Sequence, residues 1–283
     1  MQRFYPFLFV FLWSTGFIGA KFGLPHAEPL SFLLARYGFV IALMTAIAFL
    51  SRAPWPRDWR QWLHIGVSGV LVHAVYLGGV FSAIKQGLPA GVTSLVVGTQ
   101  PLLTALGAGW LLKERVSGRQ WLGLLLGLAG VALVVSGKVG SAAVGPMLVP
   151  ALVALLGITA GTLYQKRFCA RFDLRTGSVI QFVPSAALTA IAVACFEEFR
   201  IECTPQFAFA LAWLVLVLSI GAISLLNLLI RNGSAVNVAS LFYLTPPTTA
   251  LIAWGAFGET LSPLALAGMA LAVGGVYLVG RAK

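Results

Sequence analysis

The sequence predicts an all-α integral membrane protein: ten transmembrane helices arranged as two inverted five-helix repeats, with both termini cytoplasmic. Three observations predict it. Apolar residues make up 59% of the 283 residues and charged residues only 10%, well under the roughly one quarter usual in a soluble domain. Ten apolar stretches of about bilayer length, near 20 residues each, follow one another. And the second half repeats the first at a constant offset.

The composition also excludes other classes. A net charge of +11 raises the possibility of a nucleic-acid partner. The Lys and Arg residues, however, lie in short gaps between apolar runs and form no basic face, so the expected partners are the lipid bilayer and a small-molecule substrate. The three cysteines, Cys169, Cys195 and Cys203, show no CxxC and no histidine at ligand spacing. No metal or other cofactor is predicted. Cys195 and Cys203 flank one loop, and the sequence does not decide whether they pair.

The spans are expected at 4–23, 32–50, 62–84, 90–112, 120–136, 147–165, 177–196, 207–229, 236–257 and 264–280. Gly and Pro punctuate the gaps, as in GLPHAEP and RAPWPRDW. The first stretch is too long for the apolar core of a signal peptide and has an internal counterpart, so it is read as structure. If the side holding the N-terminus is side A, fourteen of the nineteen basic residues lie on side A or at its edge, four on side B, and Arg36 inside a span. Loops rich in Lys and Arg stay in the cytoplasm, so side A is expected to be cytoplasmic.

Sliding the chain by 145 residues sets Pro101 on Pro246, Thr104 on Thr249, Glu114 on Glu259, Gly123 on Gly268 and Gly130 on Gly275. The same register, without a gap, sets Gly16 on Gly161, Lys21 on Lys166 and Arg36 on Gln181. The expected units are 1–140 and 146–283, five spans each. Five is odd, so the second unit enters from the opposite side. That explains why LLKERVSGRQWLG (111–123) returns as AFGETLSPLALAG (256–268) without its basic residues: the first loop is predicted inside, the second outside. The acids persist because Asp and Glu contribute little to orientation. Glu114 and Glu259 are read as structural, favoured near the helix N-terminus that follows.

LWSTGF at 12–17, Arg36 early in span two, and LLKERVSGRQWLGLLLGLAGVALVV at 111–135 with its second copy together resemble the drug/metabolite transporter superfamily in its ten-span EamA type. The start, FLFVFLWSTGFIGAKFGLPHAEPL, also looks like the branch that contains aromatic-amino-acid exporters. The resemblance covers essentially the whole chain. It implies export of amino acids or other metabolites and does not name a substrate.

Inverted repeats mark secondary carriers whose substrate sits at the midplane between the repeats, and candidate residues follow from depth. His73 lies at mid-span with Tyr76 three residues on. This pair should line a cavity or bond a neighbouring helix. Gln100–Pro101 and Thr245–Pro246–Pro247 interrupt spans four and nine at matched places, which points to the binding site or a hinge beside it, with helix bending for packing as the alternative. Tyr243 lies one turn before Pro246. Trp13 and Ser14 sit near mid-depth in span one, either walling a pocket or packing in the core. Arg36 and Lys21 lie near the outer mouth, where each would attract a carboxylate or snorkel to the interface. Gln181 and Lys166 hold the equivalent inner positions, so a polar gate at each mouth is expected. No Asp or Glu lies within a span core, which favours facilitated transport. His73 is the proton site at depth if coupling exists. The glycine runs at 123–130 and 268–275 suit close helix contact within one chain or across a dimer; a monomer suffices for the fold, and the oligomeric state is open. A membrane-embedded enzyme is the less favoured class: there is no HExxH, no GxSxG and no clustered carboxylates.

Overall fold

The computed structural model describes residues 4–88, 90–136, 146–169, 171–257 and 261–281. The described residues form ten long helices: α1 (Tyr5–Gly23), α2 (Pro29–Leu50), α3 (Trp59–Lys85), α4 (90–112), α5 (Gly118–Ser136), α6 (Leu148–Phe168), α7 (Leu174–Phe196), α8 (Pro205–Asn232), α9 (235–257) and α10 (Pro263–Arg281); α2 to α10 each hold a stretch long and apolar enough to cross a membrane, and α1 holds a shorter one, Tyr5–Gly16. Each expected span is met to within a few residues. Among the described residues there is no strand, and the one isolated bridge joins Ala27 to Ile201. The junction between the expected units, 140–146, falls almost wholly outside the described residues.

Local sequence sets the helix starts. Pro29 and Pro205 occupy first-turn positions, where a missing N–H costs nothing. Asp58, Asp173, Thr204 and Ser234 accept from the opening N–H groups of α3, α7, α8 and α9. The hydrogen-bonding guanidinium of Arg175 holds the Asp173 carboxyl below the usual carboxylate range.

The two halves carry matching irregularities. A π-helical segment spans Val70–Val75 in α3 and another spans Leu214–Ala222 in α8. A turn at Gly98 and Thr99 breaks α4 just before Pro101, and a 3-10 segment at Leu241–Leu244 interrupts α9 just before Pro246. All of these sit at the 145-residue offset. Non-helical backbone is tolerated at this depth only against protein or a wet cavity.

The loops meet in two sets. Ala27 bridges Ile201, Lys85 pairs with Glu28, and the Glu197 carboxylate accepts from the Leu30 and Ser31 N–H groups at 3.0 Å each, all on side B. On side A, Thr176 donates to the Pro54 carbonyl and Gln61 to the Arg171 carbonyl. Span α1 packs on α8 and α9 of the second half, and α6 packs on α3 and α4 of the first. The halves therefore exchange their first helices. Cys195 and Cys203 are free thiols, both exposed.

Helices α5 and α10 form the closest pair. A Cβ on Gly123 would lie 2.6 Å from the Gly275 carbonyl oxygen, and one on Gly268 would lie 2.6 Å from that of Gly130. The two contacts exchange under the offset. The glycine runs thus join α5 to α10 within one chain.

Glu114 is placed differently from expectation. Lys113 adopts a left-handed φ of 56° and ends α4. The turn aims the Glu114 carboxylate at α9, where both oxygens accept from the Ala235 N–H at 3.3 and 3.2 Å. The acid caps α9 and not the helix that follows it; a dipole end from another span is within reach because the loops of α4–α5 and α8–α9 meet. Glu259 lies outside the described residues. Glu114→Gln keeps the shape and removes the charge. It is expected to cost about 1 kcal/mol, read as a melting midpoint a few degrees lower in detergent.

Candidate functional site

A cavity of about 1090 Å³, including its open mouth, runs from mid-depth towards side B between α1, α2, α3, α4, α8 and α9. Ala20, Leu24 and Ile84 line its mouth; Trp13, Tyr76 and Arg36 lie deeper, beside Thr245 and Pro246 of the α9 interruption. The walls are mainly aliphatic and aromatic.

The Trp13 ring lies 5.3 Å from Phe9 and 5.2 Å from Phe242 between centroids, so the indole is fixed by packing. Its N–H faces the Tyr76 hydroxyl. Arg36 is only 5% exposed. Its Nε donates to the Ser219 hydroxyl at 2.8 Å, and that is the hydrogen bond its side chain makes to the described residues. Among the described residues no carboxylate pairs with the terminal nitrogens: the ion pairs lie in the loops and helix ends. A buried, unpaired guanidinium is expensive to keep. On the wall of the same cavity the Thr245 hydroxyl is buried without a hydrogen-bond partner. The site thus presents a fixed cation, an unpartnered hydroxyl and aromatic walls. It can hold a small anion-bearing molecule with an apolar body.

Below the cavity, on side A, the space between α3, α6, α7 and α8 is closed by amides. Gln165 Nε2 donates to Asn227 Oδ1 at 2.9 Å, Asn227 Nδ2 to Gln181 Oε1 at 3.2 Å, and Gln181 Nε2 to Ser68 Oγ at 3.2 Å. All four residues are buried. Lys166 Nζ donates to the Ile230 and Gly233 carbonyls at 2.9 and 2.5 Å, fastening the end of α8. Beyond the cluster a second pocket of about 550 Å³, lined by Gln165, Lys166, Asn227 and Arg231, faces side A.

Trp13, Tyr76, Arg36, Thr245 and Pro246 reach the cavity; His73, Ser14, Gln100, Tyr243, Pro101, Pro247 and Gln181 do not line it. His73 is buried with neither ring nitrogen hydrogen-bonded, its ring stacked on Phe182 at 4.0 Å and 16°. The pairing of His73 with Tyr76 assumed α-helical spacing. The π segment between them widens the turn, so Tyr76 meets the cavity while His73 turns towards α2 and α7. The Tyr37 hydroxyl donates to the His73 carbonyl at 3.0 Å. Ser14 bonds the Val10 carbonyl at 2.7 Å, within its own helix. Tyr243 is buried against Gly127 of α5, and Gln100 is buried without a partner. Pro101 and Pro247 are buried or packed at the interruptions, away from the lining. Gln181 belongs to the amide cluster. The Lys21 side chain lies outside the described residues.

Sequence reasoning missed Ser219 and Gln165. Gln165 and Gln181 are the two glutamines near the side A ends of α6 and α7, and Asn227 lies at the same depth in α8. That common depth was the available signal. Ser219 gave none, since a lone serine in an apolar span is usually back-bonded to its own helix.

Apolar spans with matching interruptions around a cavity describe a multi-pass membrane protein built to hold a small molecule. The model of the EamA-like transporter family matches this chain twice, over residues 4–136 and 145–281, and the chain belongs to that family, within the drug/metabolite transporter superfamily. Among its relatives, the uncharacterized inner membrane transporter YedA of Escherichia coli is 28% identical over 98% of this chain and 90% of its own length. A probable amino-acid metabolite efflux pump of Salmonella typhimurium is 28% identical over 97% of this chain and 93% of its own. An uncharacterized transporter of Archaeoglobus fulgidus is 27% identical over 96% and 94%. A crystal structure at 23% identity shares the fold with a TM-score of 0.81, covering 97% of this chain and 94% of that one. The relatives' names extend to amino-acid metabolites and not to aromatic substrates.

Proposed function

We propose that this protein is a secondary transporter that moves small metabolites, above all neutral and aromatic amino acids, out of the cell by alternating access. It sits in the inner membrane with side A and both termini in the cytoplasm, following the basic residues of the side A loops. The observation that carries the reading is Arg36: a buried guanidinium at a cavity wall, held by Ser219, with no acid of the described residues paired to it. An α-carboxylate is the group that completes it, by two parallel hydrogen bonds to the terminal nitrogens. Thr245 offers an acceptor to the ammonium group, and Trp13, Tyr76 and Phe242 supply an apolar bed for the side chain. The repeats 1–140 and 146–283 supply the two sides of the cavity. Because α1 and α6 are exchanged, the bodies that move are α1 with α8 and α9, and α6 with α3 and α4.

Transport is facilitative on this reading. No Asp or Glu lies at the core of any described span, and His73 is turned away from the cavity. The name of the Salmonella relative supports the substrate class. The test is counterflow in proteoliposomes with labelled neutral amino acids, phenylalanine and leucine first, with and without an imposed proton gradient. Saturable uptake indifferent to the gradient is expected. Gradient-driven uptake contradicts the facilitative part, and failure of both substrates to saturate contradicts the substrate class.

A further inference from the structure

We infer that Gln100 and Tyr243 are substrate-binding residues of the form open to side A: polar groups held behind the cavity floor in the present form, which line the cavity when its opening changes sides. The inference rests on the carrier reading. Among the described residues, six keep buried side-chain polar atoms that make no hydrogen bond to the protein: His73, Gln100, Thr104, Thr162, Tyr243 and Thr245. Such groups are few in a folded protein, and each calls for a cause. The 145-residue offset supplies one. Thr245 lines the cavity, and its counterpart in the other repeat is Gln100. Gly98 and Leu218 also line it, and their counterparts are Tyr243 and His73.

Both residues sit on the interruptions of their helices. In α4 the turn at Gly98 and Thr99 shows Gly98 to the cavity, while Gln100, two residues on, is buried. In α9 the 3-10 segment shows Phe242 and Thr245 to the cavity, while Tyr243 between them packs with Ala105, Leu124 and Leu163. Each broken helix thus turns one face to the cavity and hides a polar group behind it. Inverted-repeat carriers hold substrate at such broken helices and alternate by moving one repeat against the other. When the repeats trade conformations, α4 presents Gln100 as α9 now presents Thr245, and α9 presents Tyr243 as α4 now presents Gly98. The Tyr243 ring rests in the space that Gly127 leaves, where a Cβ would meet it. The counterparts of that pair are Gly98 and Ala272, so only one repeat has a ring to put away and a groove to hold it. The two open forms therefore differ. The side B form offers a hydroxyl and a bare glycine; the side A form offers a primary amide and a phenol, with Gln181 in the place of Arg36. Amide and phenol each donate and accept, which suits the carboxylate and ammonium of a zwitterionic amino acid. The same register brings His73 to the edge of that wall as a neutral ring, and no acid of the described span cores stands by to make it a proton relay.

The test uses full-length protein in right-side-out and inside-out membrane vesicles, with the three native cysteines changed to serine. Gln100→Cys, Thr245→Cys and Thr104→Cys are each exposed, without substrate, to a small membrane-impermeant methanethiosulfonate. The thiol that survives is read with a fluorescent maleimide after denaturation. Thr245→Cys is expected to react from side B and Gln100→Cys from side A alone. Thr104 lies one turn beyond Gln100, but its counterpart Thr249 is not among the lining residues, so Thr104→Cys should be silent from both faces. Reaction of Thr245→Cys from side B shows that the protein in those membranes is folded. Gln100→Cys reached from side B, or from neither face, overturns the inference, and so does Thr104→Cys reacting as Gln100→Cys does. Gln100→Leu is expected to raise the KM for phenylalanine uptake from side A by roughly three- to tenfold; an unchanged KM overturns the binding role. If phenylalanine is not transported at all, the substrate reading fails, and the labelling, which needs no substrate, decides the inference alone.

Discussion

Arg36→Gln is expected to raise the KM for counterflow of neutral amino acids by roughly 30- to 150-fold. The estimate follows from losing a charge-assisted, bidentate contact in a water-poor site, about 2–3 kcal/mol. Glutamine still fills the space beside Ser219 and offers a single N–H pair, so the loss falls on charge and not on packing. Arg36→Lys keeps the charge and should recover only part of the affinity. Lysine cannot hold Ser219 through an Nε while turning two further donors to the cavity. Monodisperse elution of both variants in detergent, at the wild-type position, separates this result from misfolding. An unchanged KM in a folded Arg36→Gln protein would mean that the carboxylate binds elsewhere.

Gly275→Leu is expected to prevent assembly of the folded carrier, while Gly274→Leu should be close to neutral. The two glycines are neighbours in α10. A Cβ on Gly275 would stand 2.5 Å from the Gly123 carbonyl oxygen and 2.6 Å from the Gly127 nitrogen, whereas one on Gly274 meets nothing within 4 Å. The obstacle at Gly275 is backbone, so no rotamer change relieves it, and α10 must separate from α5. Overpacking typically costs about 1–3 kcal/mol, and a clash with a facing helix backbone falls at or beyond the upper end. The same separation would disturb the Tyr243 ring seated against Gly127. Melting midpoints in detergent, read on purified protein, check the pair. A Gly275→Leu protein as stable as Gly274→Leu would show that α5 and α10 do not meet as described.

The spans and the repeat were legible because both leave long signals. Twenty apolar residues between punctuating Gly and Pro read as a span whatever the packing, and an offset of 145 is one number supported at many positions. Depth was legible too: Trp13, Tyr76, Arg36 and Pro246 were singled out by where they fall along their spans, and each reaches the cavity. Direction around the helix axis was not. His73 and Tyr76 share a face in an α-helix, but the π segment Val70–Val75 turns them apart, and nothing in VLVHAV announces a wider turn. Partners from distant parts of the chain were hidden as well. Glu114 caps a helix that begins at Ala235, more than a hundred residues away, and the Ser219 seat for Arg36 lies across the repeat. Local sequence cannot disclose which helix end or hydroxyl tertiary packing will bring within reach. The glycine stripes showed that a close contact exists, and only the fold places both stripes on one chain.

The measurement that tests the central claim most directly is equilibrium binding of a matched pair of probes, phenylalanine and 2-phenylethylamine, to the purified wild-type protein and to Arg36→Gln. The two probes share the aromatic ring and the ammonium group and differ in the carboxylate. The account predicts that wild type prefers phenylalanine by more than tenfold and that the preference collapses in the variant. Equal affinity of wild type for both probes would contradict it, because Arg36 would then have no part in recognising the substrate.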